Sequence, residues 1–251
     1  MISIIIPTYN RPLLLERLLR SIEKQTFQNF EILVMDDFSL NREENKAICL
    51  QFPKVTYICK TENSGPQRSR NMGIKKSQFD ILCFTDDDDT WEDTKLEKQL
   101  EKMRSKDEYS LIYTWANVVD ENGVKIGEMS SQIEGNIQKH LLEKNSIPSS
   151  SVMVQKKCFL EVWDFDESFP SCQDWDMWYR VSKKFSIGVV KEPLINYYKH
   201  DSSSVGKNKN ASLWYILFVK KYWLDFIKSW NTLSWLKHFL YGCKNYFGIW
   251  N

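Results

Sequence analysis

The stretch "DILCFTDDDDTW", residues 80–91, sets four aspartates directly behind an apolar run. Like charges this close repel, and each raises its neighbour's cost of ionising. The apolar run reads as a buried strand and the aspartates as the loop that leaves it. Upstream, the pattern repeats three times. "ISIII" (2–6) is a continuous β-branched run stopped by Pro7, and "RPLLLERLLRSIEKQ" (11–25) places Leu14, Leu15, Leu18, Leu19 and Ile22 at helical spacing behind Pro12. "FEILVMDD" (30–37) is a second strand, "NREENKAICLQF" (41–52) a helix, "VTYIC" (55–59) a third strand and "PQRSRNMGIKKS" (66–77) a short helix. This β-α-β-α-β-α-β order predicts a parallel sheet with right-handed crossovers inside a three-layer sandwich.

Downstream the pattern changes. "WEDTKLEKQLEKMRS" (91–105) is an amphipathic helix. "SLIYTWANVVDENGVKIGEM" (110–129) turns at Asn122-Gly123, a hairpin signal. A helix is predicted over 134–144, a strand at "SSVMVQ" (150–155), a helix at "DWDMWYRVSKK" (174–184) and a strand at "SIGVV" (186–190). From about Asn208 the chain is helical, aromatic and basic. No repeat or low-complexity linker separates the halves, so one continuous sheet is expected.

The 251 residues can bury a large core, and a net charge of +1 gives no electrostatic reason for a nucleic-acid partner. The six cysteines are scattered without a CxxC pair, which excludes a zinc spacing and fits a reducing, cytosolic compartment. "MISIIIPTYN" reads as a first strand, not a signal peptide, and no run of about 18 apolar residues predicts a membrane span.

Ligands of open α/β sheets bind outside the carboxyl ends of the strands. Here those ends carry "PTYN" (7–10), Asp36-Asp37 and the four aspartates, with "NSGPQRSRN" (63–71) after the third strand. An acidic cluster is tolerable there if a divalent cation sits in it, and oxygen ligands favour Mg²⁺ or Mn²⁺. Arg68 and Arg70 suit a phosphate. The structural alternative is that Asp89 or Thr90 caps the next helix and that Asp36 and Asp37 are turn residues. "FTDDDDT" also matches the nucleophile pattern of haloacid-dehalogenase-type phosphatases, with Asp86 as nucleophile, but that motif usually closes a first strand and here closes the fourth. A calcium loop through Asp86, Asp88, Thr90 and Glu97 fails because Trp91 stands where the loop needs glycine.

"SIIIPTYNRP", "FEILVMDDFS", "NSGPQRSRNMGI" and "FTDDDDTW" together resemble the nucleotide-binding half of family 2 glycosyltransferases of GT-A fold; "SSSVMVQKKCFLEVWDFDESF", "QDWDMWYRV" and "PLINYYKHDSSSV" resemble the second half. The likeness covers residues 1–205. It implies a nucleotide-sugar-binding half at 1–110, an acceptor half at 111–205 and a C-terminal extension at 206–251. It further implies inverting transfer of one sugar from a donor such as a UDP-hexose or UDP-N-acetylhexosamine to a glycan hydroxyl, assisted by Mn²⁺ or Mg²⁺. By position, Pro7 and Tyr9 would frame the base, Asp37 would accept from a base N–H, and Arg70 would approach the diphosphate. Asp86 and Asp87 would lie near ribose and metal, with Asp88 the metal ligand. Asp174 matches the general base, although Gln173 replaces the glutamate usual before it, and His200 matches a histidine that contacts metal or diphosphate in some members. The QxxRW element of processive synthases is absent, so one sugar per encounter is expected. A non-catalytic sugar-nucleotide-binding module is the remaining alternative.

The tail interleaves Trp214, Trp223, Trp230 and Trp235 with Lys220, Lys221, Lys228, Lys237 and Lys244, and Asp225 is the only acid of residues 212–250. Such helices suit an anionic bilayer surface; the alternative is packing on the catalytic domain or on a second copy in a homodimer. The resemblance implies a peripheral enzyme on the inner face of the cytoplasmic membrane, in capsule or O-antigen/lipopolysaccharide synthesis, extending a lipid-linked glycan.

Overall fold

The computed structural model describes residues 1–105, 108–169, 171–199, 209–229, 236, 237 and 240. The first half is β1 (Ile2–Thr8), α1 (Pro12–Glu23), β2 (Phe30–Asp36), α2 (Arg42–Cys49), β3 (Val55–Cys59), α3 (Pro66–Lys76) and β4 (Ile81–Phe84). Then follow β5 (Thr90–Trp91), α4 (Lys95–Arg104), β6 (Tyr109–Val119), β7 (Lys125–Met129), α5 (Gln138–Glu143), β8 (Met153–Gln155), α6 (Lys157–Val162), α7 (Gln173–Ser182), β9 (Ser186–Tyr198) and α8 (Lys209–Lys228).

One sheet runs through both halves in the order β3-β2-β1-β4-β8-β6-β9-β5, with β7 on β6. Strands β3, β2, β1 and β4 are parallel. Strand β8 joins the halves antiparallel to both β4 and β6, while β9 runs parallel to β6. Alternate residues of β1 serve opposite cores: Ile2, Ile4 and Ile6 meet helices α1, α2 and α4, and Ile5 faces the helices of the second layer. This is why "ISIII" is apolar on both faces. Helix α3 lies so close to β1 that a Cβ on Gly73 would sit 2.5 Å from Ile5 Cγ2.

Three expected boundaries move. The helix at 134–144 shortens to α5, because the chain before it makes a bridge from Gly135 to Ile187. "SSVMVQ" begins as a 3₁₀ turn at Ser149–Ser151. The strand expected at 186–190 continues to Tyr198: register shifts against β6 near Trp115 bulge the chain and admit Pro193.

The tail's first helix packs on protein. Trp214, Phe218, Tyr222 and Phe226 are buried in the second core, and Trp214 stacks on Trp175 of α7 at 4.5 Å. Asp176 of α7 is fully buried and accepts from Arg180 Nε (2.9 Å), Lys221 Nζ (2.7 Å) and Tyr222 Oη (2.6 Å). Helix α8 thus clamps α7. Asp176→Ala is expected to cost about 3–5 kcal/mol, the usual penalty for stripping one partner from a buried ionic network, measured as the midpoint shift of urea unfolding. Residues Trp230, Trp235 and Lys244 lie outside the described residues.

Candidate active site

The parallel register places Thr8 beside Asp36 and Ile5 beside Phe84, so the loops after β1, β2 and β4 leave one edge of the sheet. Asn10 (φ 57°) and Phe38 (φ 64°) both turn in the left-handed region. Their loops are laced together by Asn10 N–H to Ser39 Oγ (2.8 Å) and Leu40 N–H to Asn10 Oδ1 (2.7 Å). Asp36 is fully buried and accepts from Ser39 N–H, Asn45 Nδ2 and Tyr57 Oη, each at 2.7 Å. It holds the loop, which is the turn role allowed for it. Asp37 accepts from Ser64 N–H (2.9 Å), Gly65 N–H (2.8 Å) and Lys60 Nζ. It anchors the turn that opens α3, and Oδ2 keeps a lone pair for a further donor. Pro7 is buried in β1 opposite Met35, and Tyr9 is exposed.

The four aspartates divide among several partners, with Asp87 and Asp88 sharing Arg11. Asp86 accepts from Arg70 Nη2 at 2.5 Å. Asp87 accepts from Thr8 Oγ1 (2.7 Å) and Arg11 Nη1 (3.1 Å), and the same Arg11 nitrogen donates to Asp88 at 2.8 Å. Asp89 accepts from Ser150 Oγ and from Tyr198 N–H (3.3 Å). Burial pushes Asp87 up to about 6 against the pull of Arg11, and pushes Asp89 well above the carboxylate range. Arg70 and Arg11 offset the charge of Asp86, Asp87 and Asp88, and burial favours the neutral form of Asp89. Asp89 is a structural post, bonded to the 3₁₀ turn and to β9.

Among the described residues, no three His, Cys, Asp or Glu side chains gather to hold a metal. His200 lies outside the described residues. The donor set still suits a hard cation that shares its shell with a ligand: Asp86 and Asp88 offer carboxylate oxygens at the exposed side of the loop, and Mg²⁺-type sites commonly use one or two carboxylates plus phosphate oxygens.

Behind these loops lies a cavity of about 680 Å³. Arg70, Asp86, Asp89, Asp174 and Tyr197 line it, together with residues 128–130 and 144–150. Arg70 is buried, and its Nε and Nη1 have no partner among the described residues. Buried guanidinium donors of this kind call for an anion. Asp174 enters from the first turn of α7, just after Cys172 bends the chain with φ 53°. Burial raises its pKa and Asp86 adds to the rise; Arg70 and the backbone N–H groups of the helix start oppose it. No side chain among the described residues bonds it. The structure thus brings Arg70, Asp86 and Asp174 to one cavity. Arg68, a phosphate candidate on sequence, instead pairs with Glu167 (2.7 Å) and Glu62 (3.6 Å) at the surface.

Sequence reasoning missed Arg11, Arg17, Ser150 and Tyr197. Arg11 and Arg17 had a signal: both follow the first strand end, Arg11 just before the next helix and Arg17 within it. Arg17 donates to Asp88 O and lies 3.5 Å over the Tyr198 ring. Ser150 and Tyr197 reach the aspartates only through the tertiary fold.

This sheet, with its loaded strand ends, is the fold of the GT-A glycosyltransferases. TarS residues 1–349 of S. aureus, solved in complex with UDP-GlcNAc, match at TM-score 0.71 and 17% identity, over 87% of this chain and 65% of that one. The mannosyltransferase PcManGT of Pyrobaculum calidifontis, in complex with GDP-Man and Mn²⁺, matches at TM-score 0.68 and 12% identity, over 88% of this chain and 63% of that one. The sequence model of Glycosyl transferase family 2 matches residues 3–160, and the chain belongs to that family. A glycosyltransferase of Rickettsia bellii is 30% identical over 234 residues, covering 88% of this chain and 34% of its own. The amylovoran biosynthesis glycosyltransferase AmsB of Erwinia amylovora is 26% identical over 243 residues, covering 90% and 77%. The chain spans about a third of the length of the Rickettsia bellii relative. Membership of this family favours the glycosyltransferase reading over the haloacid-dehalogenase-type phosphatase one. No helix among the described residues is long and apolar enough to cross a membrane.

Proposed function

We propose that the enzyme moves one sugar, with inversion, from a nucleotide-sugar donor to a hydroxyl of a glycan acceptor, using a divalent cation. The observation that carries this reading is the single cavity shared by Arg70, Asp86 and Asp174. Residues 1–110 hold the donor: Pro7, Tyr9 and Asp37 take the base, and Asp87 and Asp86 border the ribose. Arg70 takes the diphosphate. Asp88 and Asp86, joined by His200, hold Mn²⁺ or Mg²⁺, which when bound neutralises charge on the leaving diphosphate. Residues 111–205 take the acceptor, and Asp174 accepts the proton of its attacking hydroxyl. UDP-hexoses and UDP-N-acetylhexosamines are the first donors to try, since a solved relative in fold binds UDP-GlcNAc. Release of nucleoside diphosphate from a panel of UDP-, GDP- and dTDP-sugars tests the reading; turnover of none of them with any divalent ion would contradict it.

A role in surface-polysaccharide assembly is supported by the likeness to AmsB. For membrane association the support is the outer face of α8: Trp223, Leu224 and Ile227 are half exposed beside Lys220 and Lys228. Cutting the chain before α8 would strip Trp214 and Phe218 from the core, so surface substitutions in the full chain are the test. Wild type should sediment with phosphatidylglycerol vesicles at low salt, and Trp223→Ser/Ile227→Ser should bind ~10-fold less. Equal sedimentation of both, or none by wild type, excludes this face as an anchor.

A further inference from the structure

We infer that Tyr197 holds the transferred sugar of the donor and that its hydroxyl sets which hydroxylated sugar the enzyme accepts. The inference rests on the nucleotide-sugar reading of the same cavity. Tyr197 is in β9 and lines the cavity with Arg70, Asp86 and Asp174. Burial, and then the negative charges of Asp89, Asp88, Asp86 and Asp174, hold its phenol in the protonated form.

That location has a chemical meaning. In an inverting displacement, the attacking oxygen and the leaving diphosphate approach opposite sides of one carbon. Asp174 marks the first side; Arg70, Asp86 and Asp88 mark the second. A group that lines the same cavity as Asp174, Arg70 and Asp86 borders the sugar ring in this reading. The carboxylates there can only accept hydrogen bonds when ionised, and the unpartnered Arg70 donors go to the diphosphate in this reading. A phenol is protonated at neutral pH and supplies a neutral donor for a sugar oxygen, while its ring offers an apolar face.

The residue is also held in place. Tyr197 pairs with Val118 across the β6–β9 ladder. On one side, Asn196 Nδ2 donates to Glu92 Oε1 at 2.9 Å; on the other, Tyr198 N–H donates to Asp89 and the Tyr198 ring sits under Arg17. The flanking bonds fix the backbone, yet no side chain among the described residues bonds the Tyr197 hydroxyl, and the residue is 39% exposed. A pinned tyrosine with an unused hydroxyl in the cavity that holds Arg70, Asp86 and Asp174 is a binding group.

The test compares wild type with Tyr197→Phe. The donor is whichever of UDP-glucose, UDP-galactose, UDP-N-acetylglucosamine and GDP-mannose wild type turns over fastest, together with its monodeoxy analogues. The free nucleoside diphosphate should bind both enzymes within about twofold. With the parent donor, kcat/KM should fall ~10-fold in the variant, the loss expected when a sugar hydroxyl loses a neutral hydrogen-bond partner. One deoxy analogue should be disfavoured by wild type by a similar factor and be used equally by both enzymes, the non-additivity of a direct contact. The inference is overturned if Tyr197→Phe matches wild type on the parent donor, if every deoxy analogue loses the same factor in both enzymes, or if the variant also loses diphosphate binding. Turnover of no nucleotide sugar by wild type would instead sink the underlying reading, and this inference with it.

Discussion

Asp174→Asn is expected to lower kcat ~10²–10⁴-fold while UDP still binds in the presence of Mn²⁺. Asparagine keeps the size of the side chain and removes the proton acceptor. The fold tolerates the change because no side chain among the described residues depends on Asp174. The pH profile adds a second readout. A general base must be ionised, so activity falls as pH drops through its pKa. Burial lifts the Asp174 pKa, Asp86 lifts it further, and Arg70 holds it back. The acid limb of kcat/KM should therefore lie above the ~4 of an ordinary aspartate, and it should vanish from the residual activity of the variant. Wild-type transfer by Asp174→Asn, measured as glycosylated acceptor formed, would remove the residue from the chemistry.

Asp88→Ala should act on binding. Loss of one carboxylate from the cation site is worth several kcal/mol, or ~10²–10³-fold in Mn²⁺-dependent UDP affinity. Without Mn²⁺ the variant and wild type should bind UDP alike. The local structure should survive, because Arg11 retains Asp87 at 3.1 Å when Asp88 is gone. Calorimetric titration of UDP with and without the ion separates the cases. An equal loss in both titrations would assign Asp88 to folding of the loop instead of to the metal.

Much of the fold of the first half was legible. Parallel strands buried on both faces write themselves as uninterrupted apolar runs, as in Ile2–Ile6, and the loaded residues follow where each run stops. That much located Pro7, Asp37 and the four aspartates. What each aspartate does was not legible, because the partners are distant: Thr8 and Arg11 for Asp87, Ser150 and Tyr198 for Asp89. Adjacent residues of one type take four separate roles only once the fold surrounds them. Asp174 was found by resemblance; alone, it reads equally as an acid favoured at a helix start.

The tail shows a signal present but outweighed. Trp214, Phe218, Tyr222 and Phe226 recur every four residues, the stripe of a helix that buries one face. The interleaved lysines drew the reading toward a bilayer. Lys221, one of them, spends its charge on Asp166 and Asp176. Its neighbour Lys220 is exposed on the outer face.

The account's central claim is that the edge where β1, β2 and β4 end is a metal-assisted nucleotide-sugar site. Isothermal calorimetry of UDP, GDP and dTDP, each with Mn²⁺, with Mg²⁺ and with a chelator, tests it most directly. The account predicts that one nucleotide binds with a Kd of roughly 1 μM–1 mM, the usual range for substrates, and that chelation weakens it at least ~10-fold. Heat of binding from none of the three nucleotides, with either ion, would contradict it.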